Sequence, residues 1–122
     1  MKFYICETCG NIITHVQASG VPVFCCGKKM TELVPGTTDA AVEKHVPVYT
    51  VEGNTVTVQV GSVEHPMAPE HHIAFIYVEF ASGGGRLINL TDKPVAEVCV
   101  CGEKVVAVYE YCNLHGLWKK DI

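Results

Sequence analysis

Thr55-Val56-Thr57-Val58-Gln59-Val60 alternates strictly, with Val56, Val58 and Val60 on one side of an extended chain and Thr55, Thr57 and Gln59 on the other. Successive side chains of a β-strand point to opposite faces, so this pattern describes a strand with one face in a core and one in water. Just before it, Glu52-Gly53-Asn54 supplies a turn. Val46-Pro47-Val48-Tyr49-Thr50-Val51, rich in β-branched residues, reads as the strand on the other side of that turn. Further along, Ile73 to Phe80 is a longer, more continuous apolar run, as expected of a central strand. Gly83-Gly84-Gly85 breaks the chain and Arg86 to Leu90 resumes it. Val95 to Val100 and Lys104 to Tyr111 read as a hairpin around Cys101-Gly102-Glu103. Short strands, turn signals between them and no long helix predict a mainly β chain built as an antiparallel β-sandwich.

Composition bounds the function. Of 122 residues, 48% are hydrophobic and 18% charged, which describes a packed chain rather than a disordered one. The formal net charge is −4 and there is no basic run to neutralise phosphates, so no nucleic-acid partner is expected. No apolar stretch approaches the ~20 residues that span a bilayer, so no membrane partner is expected either. Met1-Lys2-Phe3-Tyr4-Ile5-Cys6 is too short in apolar residues for a signal peptide, which makes a cytoplasmic location the expectation. Seven cysteines and six histidines in so short a chain call for a chemical reason. An odd cysteine count without a signal peptide fits a disulfide framework poorly, and in a reducing compartment clustered cysteines are more often metal ligands or redox groups.

Residues 1–36 read as a small unit that cannot bury much apolar surface and needs a staple. Pro35-Gly36-Thr37-Thr38-Asp39 reads as the connector to a β domain over residues 37–122. The small unit carries Cys6-Glu7-Thr8-Cys9, a C-x-x-C knuckle, and the adjacent pair Cys25-Cys26. Together these four thiolates suit a tetrahedral zinc or iron ion, and the spacing does not choose between the two metals. A disulfide or unrelated buried thiols is the alternative reading.

The β domain holds a second constellation: His45, His65, His71, Cys112 and His115. His65 and His71 lie on the proline-rich stretch Val63-Glu64-His65-Pro66-Met67-Ala68-Pro69-Glu70-His71, and Cys112 and His115 stand at C-x-x-H spacing. A cysteine among several imidazoles suits iron, zinc or copper. His15 reads as an ordinary surface or core residue, and Glu43-Lys44 on its own reads as a solvated charged pair. Cys99 and Cys101 could form a redox pair or a disulfide. The favoured reading puts Cys99 in the core and Cys101 in a turn, since free cysteine is commonly buried.

These segments resemble desulfoferrodoxin, the two-iron superoxide reductase family. The similarity is carried by the C-x-x-C and Cys-Cys pairs, by Glu43-Lys44-His45-Val46-Pro47-Val48, by Gly61-Ser62-Val63-Glu64-His65-Pro66-Met67, and by Glu110-Tyr111-Cys112-Asn113-Leu114-His115-Gly116-Leu117-Trp118-Lys119. It runs over essentially the whole chain in the same order. The resemblance implies a desulforedoxin-like front domain followed by an immunoglobulin-like β-sandwich, assembled as a homodimer. It implies two irons per chain: a rubredoxin-like iron on Cys6, Cys9, Cys25 and Cys26, and an active iron with His45, His65, His71 and His115 as equatorial ligands and Cys112 as the axial thiolate. Glu43 and Lys44 match the family's mobile glutamate and its lysine beside the open position. The implied reaction reduces superoxide to hydrogen peroxide, with a rubredoxin-like protein returning the electron. The chain departs from the pattern at His72, where some members carry tryptophan, and His72 in place of His71 is the alternative ligand.

Overall fold

A computed structural model describes residues 1–37 and 40–122, so Thr38 and Asp39 of the expected connector lie outside the described residues. The chain divides into two compact units, Met1–Val34 and Pro35–Ile122.

The first unit is made of short strands. β1 (Phe3–Ile5), β2 (Ile12–Ile13) and β5 (Thr31–Leu33) form one antiparallel sheet in the order β2-β1-β5, and β3 (Phe24–Cys25) pairs with β4 (Lys28–Lys29). Its buried hydrophobic residues are Phe3, Cys6 and Met30. So small an apolar interior leaves the unit dependent on a crosslink or a bound ion to hold its fold.

The second unit opens with one helical turn, α1 (Val42–His45). Strands β6 (Pro47–Glu52), β7 (Thr55–Val60), β8 (Ile73–Phe80), β9 (Gly85–Asn89), β10 (Val95–Cys99), β11 (Val105–Cys112) and β12 (Gly116–Asp121) follow. They form two antiparallel sheets, ordered β10-β7-β6 and β12-β11-β8-β9. This is the antiparallel sandwich that the strand pattern predicts, of the immunoglobulin-like kind that the resemblance implies. Val56, Val58 and Val60 of β7 are 1%, 0% and 0% exposed, as their alternation requires. They meet Ile73, Ile76 and Val78 of β8, Ala96 and Val98 of β10, and Val108 and Cys112 of β11 in a single core. Burying those three valines alone contributes roughly 5–9 kcal/mol, an upper figure because an unfolded chain already hides part of its surface. β8 runs between β11 and β9, the central position its continuous apolar run predicts.

The expected hairpin over Val95–Val100 and Lys104–Tyr111 does not form. β10 pairs with β7, whereas β11 pairs with β8 and β12, so the two strands lie in opposite sheets. Ala96, Val98 and Val100 are buried on one side, and Ala107 and Val108 are buried at the start of the next strand. Pairing them side by side would leave one sheet without its cover. The turn therefore carries the chain across the sandwich, with Val100 N–H donating to Asn54 O and Ala81 N–H donating to Lys104 O.

Candidate metal centres

In the first unit the sulfurs of Cys6, Cys9, Cys25 and Cys26 lie within 4.8 Å of one another. Cys9 Sγ is 3.7 Å from Cys25 Sγ, and Cys25 Sγ is 4.0 Å from Cys26 Sγ. The edge of a tetrahedron with metal–sulfur bonds of ~2.3 Å is about 3.8 Å, so the spacing fits one ion. The adjacent pair reaches it through a left-handed backbone at Cys26, φ 52°. The Cys9 and Thr8 amides lower Cys6 to about 6, the Cys9 amide most strongly. The sulfurs of Cys9, Cys6 and Cys25 push Cys26 up to about 12. Cys25 and Cys26 thus resist ionisation beside their neighbouring sulfurs, and a cation is what would relieve them.

In the second unit four imidazoles form a ring. His45 and His65 meet edge to face at 77°, His65 and His71 at 81°, His71 and His115 at 81°, and His115 and His45 at 90°. Across the ring, His45 and His71 stand nearly parallel, 26° apart in plane, at 6.4 Å between centroids. The cyclic order is therefore His45, His65, His71, His115. His45 Nε2 lies 3.2 Å from His65 Nε2 and 3.1 Å from His115 Nδ1. Neighbouring ligands at right angles on bonds of ~2.1 Å would be about 3 Å apart. Cys112 Sγ groups with His45, His65 and His71 within 4.8 Å and lies 3.8 Å from His115 Nδ1.

The donor chemistry points inward. His45 Nδ1 donates to Ala41 O at 2.7 Å and His65 Nδ1 donates to Pro66 O at 2.8 Å. A carbonyl only accepts, so those nitrogens carry the protons and both Nε2 atoms present lone pairs to each other. His71 Nε2 is buried with no hydrogen-bond partner among the described residues. Burial lowers His45 and His71 and takes His65 down to about 4, so these imidazoles stay neutral around pH 7. Facing lone pairs and an orphaned buried nitrogen cost free energy that a bound cation removes, so the residues fit a metal ion. Burial pushes the Cys112 thiol up, and a coordinating ion would ionise it.

The fold explains each placement. His45 ends α1, stacked on Trp118 at 5.1 Å. His65 and His71 sit on the loop between β7 and β8. Cys112 ends β11 at a register shift after Tyr111, and His115 follows in the turn to β12. His72 is held outside the ring: its backbone N–H donates to Asn113 Oδ1 and its Nδ1 contacts Ala68 O. The structure thus brings His71, not His72, into the cluster. Glu43 and Lys44 are exposed on α1 beside His45. His15 lies in the first unit, edge-on to Tyr4 at 5.2 Å. Cys99 is exposed rather than in the core, while Cys101 does occupy a turn.

Two residues to which residue type alone assigns no role, Asn113 and Gly61, shape this centre, and a third, Glu110, is buried near Cys112. Asn113 accepts from His72 N–H at 2.8 Å and donates to Glu70 O at 3.1 Å, tying the Cys112–His115 turn to the His71 loop. Gly61, φ 71°, packs against Glu43 and Lys44 so closely that a Cβ would stand 2.6 Å from Lys44 Cα. Its neighbours Val63 N–H and Ser62 Oγ both donate to Glu43 O, at 2.9 and 3.2 Å. Glu110, fully buried two residues before Cys112, has no partner for either carboxylate oxygen among the described residues, and burial pushes it up to about 9. It is therefore a neutral acid near pH 7. A Gly at a strand end and an Asn in a turn are common enough that only their contacts mark them.

Comparison with known proteins agrees with this geometry. The family model described as desulfoferrodoxin matches residues 37–121. The desulfoferrodoxin of Nitratidesulfovibrio vulgaris is 44% identical over 98% of this chain and 95% of the relative. A desulfoferrodoxin homolog of Archaeoglobus fulgidus is 43% identical over 98% of this chain and 95% of the relative. The crystal structure of the superoxide reductase from Treponema pallidum superposes with a TM-score of 0.81 at 34% identity, covering 98% of each chain. With 98% of its length aligned to such a relative and the sandwich matched by the family model, the chain belongs to the desulfoferrodoxin family.

Proposed function

We propose that the chain is a superoxide reductase, which takes superoxide, one electron and two protons to hydrogen peroxide. His45, His65, His71, His115 and Cys112 would hold the active iron, and Cys6, Cys9, Cys25 and Cys26 a second iron. The observation that carries the reading is the four-imidazole ring closed by a buried thiol, next to the exposed pair Glu43-Lys44. A ferrous ion bound there supplies the electron. The domain roles follow: residues 1–36 carry the four-cysteine iron and residues 37–122 the catalytic centre.

The chain's own residues do the rest. Lys44 places a positive charge beside the centre, which draws in a small anion and stabilises charge developing on it. It also organises the water that delivers a proton. Glu43 sets an exposed carboxylate next to Lys44, an oxygen donor that would help to displace product. Cys112, ionised by a bound ion, would donate electron density to it, the role a thiolate has in haem enzymes. Ala41 O and Pro66 O hold His45 and His65 in one tautomer and one orientation.

The electron is returned by an external donor of the rubredoxin type. The active form is a homodimer, supported by apolar side chains that the first unit leaves in solvent, among them Val21 at 71% and Phe24 at 64% exposure. The location is cytoplasmic, which suits cysteines that must stay reduced to bind metal. No helix among the described residues is long and apolar enough to cross a membrane.

The test is to purify the protein without oxygen, count metals per chain and mix the reduced form with pulsed superoxide. Two irons and rapid, peroxide-producing oxidation of the histidine–cysteine centre are expected. Two zincs, or iron indifferent to superoxide, would overturn the proposal.

A further inference from the structure

The cysteines outside the two metal centres, Cys99 and Cys101, sit together at the end of β10. Their Sγ atoms are 2.9 Å apart and both residues are exposed. A disulfide bond is ~2.05 Å long, so joining the sulfurs needs a shift of under about 1 Å. The turn beyond β10 is built to hold them. Val100 O accepts from Glu103 N–H at 2.9 Å, and the central residues Cys101 and Gly102 both have positive φ, 49° and 83°. That is the type I′ arrangement, in which asparagine, aspartate or glycine is usual at the first central position. Cys101 accepts a backbone conformation that L-residues disfavour. Among the described residues the non-glycine positions with positive φ are Cys26 and Cys101. Cys26 spends that strain on bringing its sulfur to a sulfur cluster, and Cys101 does the same toward Cys99.

The pair is chemically asymmetric. Its mutual contact lowers Cys99 and raises Cys101, and the Arg86 charge lowers both. One sulfur is thus biased toward the thiolate beside a neighbouring thiol, the combination of an attacking and a resolving cysteine. The site is remote from the imidazole ring. Cys99 pairs with Thr55 at one end of β7, while Val60 at the other end pairs with Pro47, next to α1. The five residue steps between them span about 17 Å.

We propose that Cys99 and Cys101 form a dithiol–disulfide couple oxidised by hydrogen peroxide. The Cys99 thiolate attacks one peroxide oxygen; an S–O bond forms, the O–O bond breaks, and the departing hydroxide takes a proton to become water. Cys101 Sγ then attacks Cys99 Sγ; the S–S bond forms, the S–O bond breaks, and its oxygen leaves as a second water with the thiol proton. The sulfur pair loses two electrons and the peroxide gains them. A dithiol reductant reverses the change by thiol–disulfide exchange. Peroxide is also the product of the reaction proposed above, but the couple depends on that reading only for where the peroxide comes from.

The experiment adds hydrogen peroxide directly to the reduced, metal-loaded protein, quenches with an alkylating reagent and reads the peptide containing residues 99–101 by mass spectrometry. The expected peptide has lost two hydrogens, takes no alkyl group, and takes two after reduction with dithiothreitol. In Cys101→Ser, Cys99 should stop at the sulfenic acid and be trapped by dimedone, while the superoxide reaction rate stays that of the parent. Both thiols still alkylated after peroxide, Cys99 driven to the sulfinic acid in the parent, or a disulfide joining two chains would each overturn the proposal.

Discussion

Gly61→Ala measures how tightly the β7 end clamps the Glu43-Lys44 segment. Gly61 has φ 71°, so alanine there carries the left-handed penalty of roughly 1–2 kcal/mol. Its new Cβ would also stand 2.6 Å from Lys44 Cα. Ordinary contact begins near 3.4 Å and Glu43 O lies closer still, so α1 or the β7 end must move by at least about 0.8 Å. Backbone atoms cannot yield as a flexible side chain can, and packed interiors transmit such a shift. The natural control is Gly53→Ala in the turn between β6 and β7. Gly53 has φ 61° with nothing within 4 Å, so it carries the backbone penalty without the collision. At about 4–8 °C per kcal/mol for a domain of this size, Gly53→Ala should lower Tm by roughly 4–16 °C and leave the superoxide rate unchanged. Gly61→Ala should lower Tm further and slow the reaction on the order of 10–100-fold, because groups displaced by about 1 Å lose alignment with the reacting centre. The assays are thermal unfolding of the iron-loaded protein and pulsed-superoxide kinetics. Equal Tm losses and an unchanged rate in Gly61→Ala would refute the clamp.

Lys44→Ala should keep its iron and slow the second-order reaction with superoxide, most visibly at low ionic strength, where charge attracts over the longest range; an unchanged rate would remove Lys44 from the mechanism. Cys112→Ser should lose the thiolate-to-iron absorption of the active centre, and a spectrum that keeps the band would mean that another group is the sulfur ligand. Asn113→Ala leaves His72 N–H and Glu70 O without their partner. It should cost about 1–3 kcal/mol by denaturant unfolding and lower iron occupancy of the imidazole centre, with no change in the four-cysteine centre by metal counting.

The amino-acid sequence by itself determines the local chemistry. Alternation in Thr55–Val60 marks a half-buried strand because side-chain direction in an extended chain has period two. The continuous apolar run at Ile73–Phe80 marks a central strand, and β8 lies between β11 and β9. Cysteine and histidine types and spacing mark both donor sets, since ligand chemistry belongs to the residues themselves. Tertiary structure alone decides the rest. It puts β10 and β11 in opposite sheets, because each sheet's apolar face needs the other as cover and no local signal distinguishes a turn within a sheet from one between sheets. It selects His71 over His72, because the bonds that Asn113 and Ala68 make to His72 hold it out of the ring. It also brings Gly61 against Glu43 and Cys99 against Cys101, contacts set by backbone direction rather than by residue type.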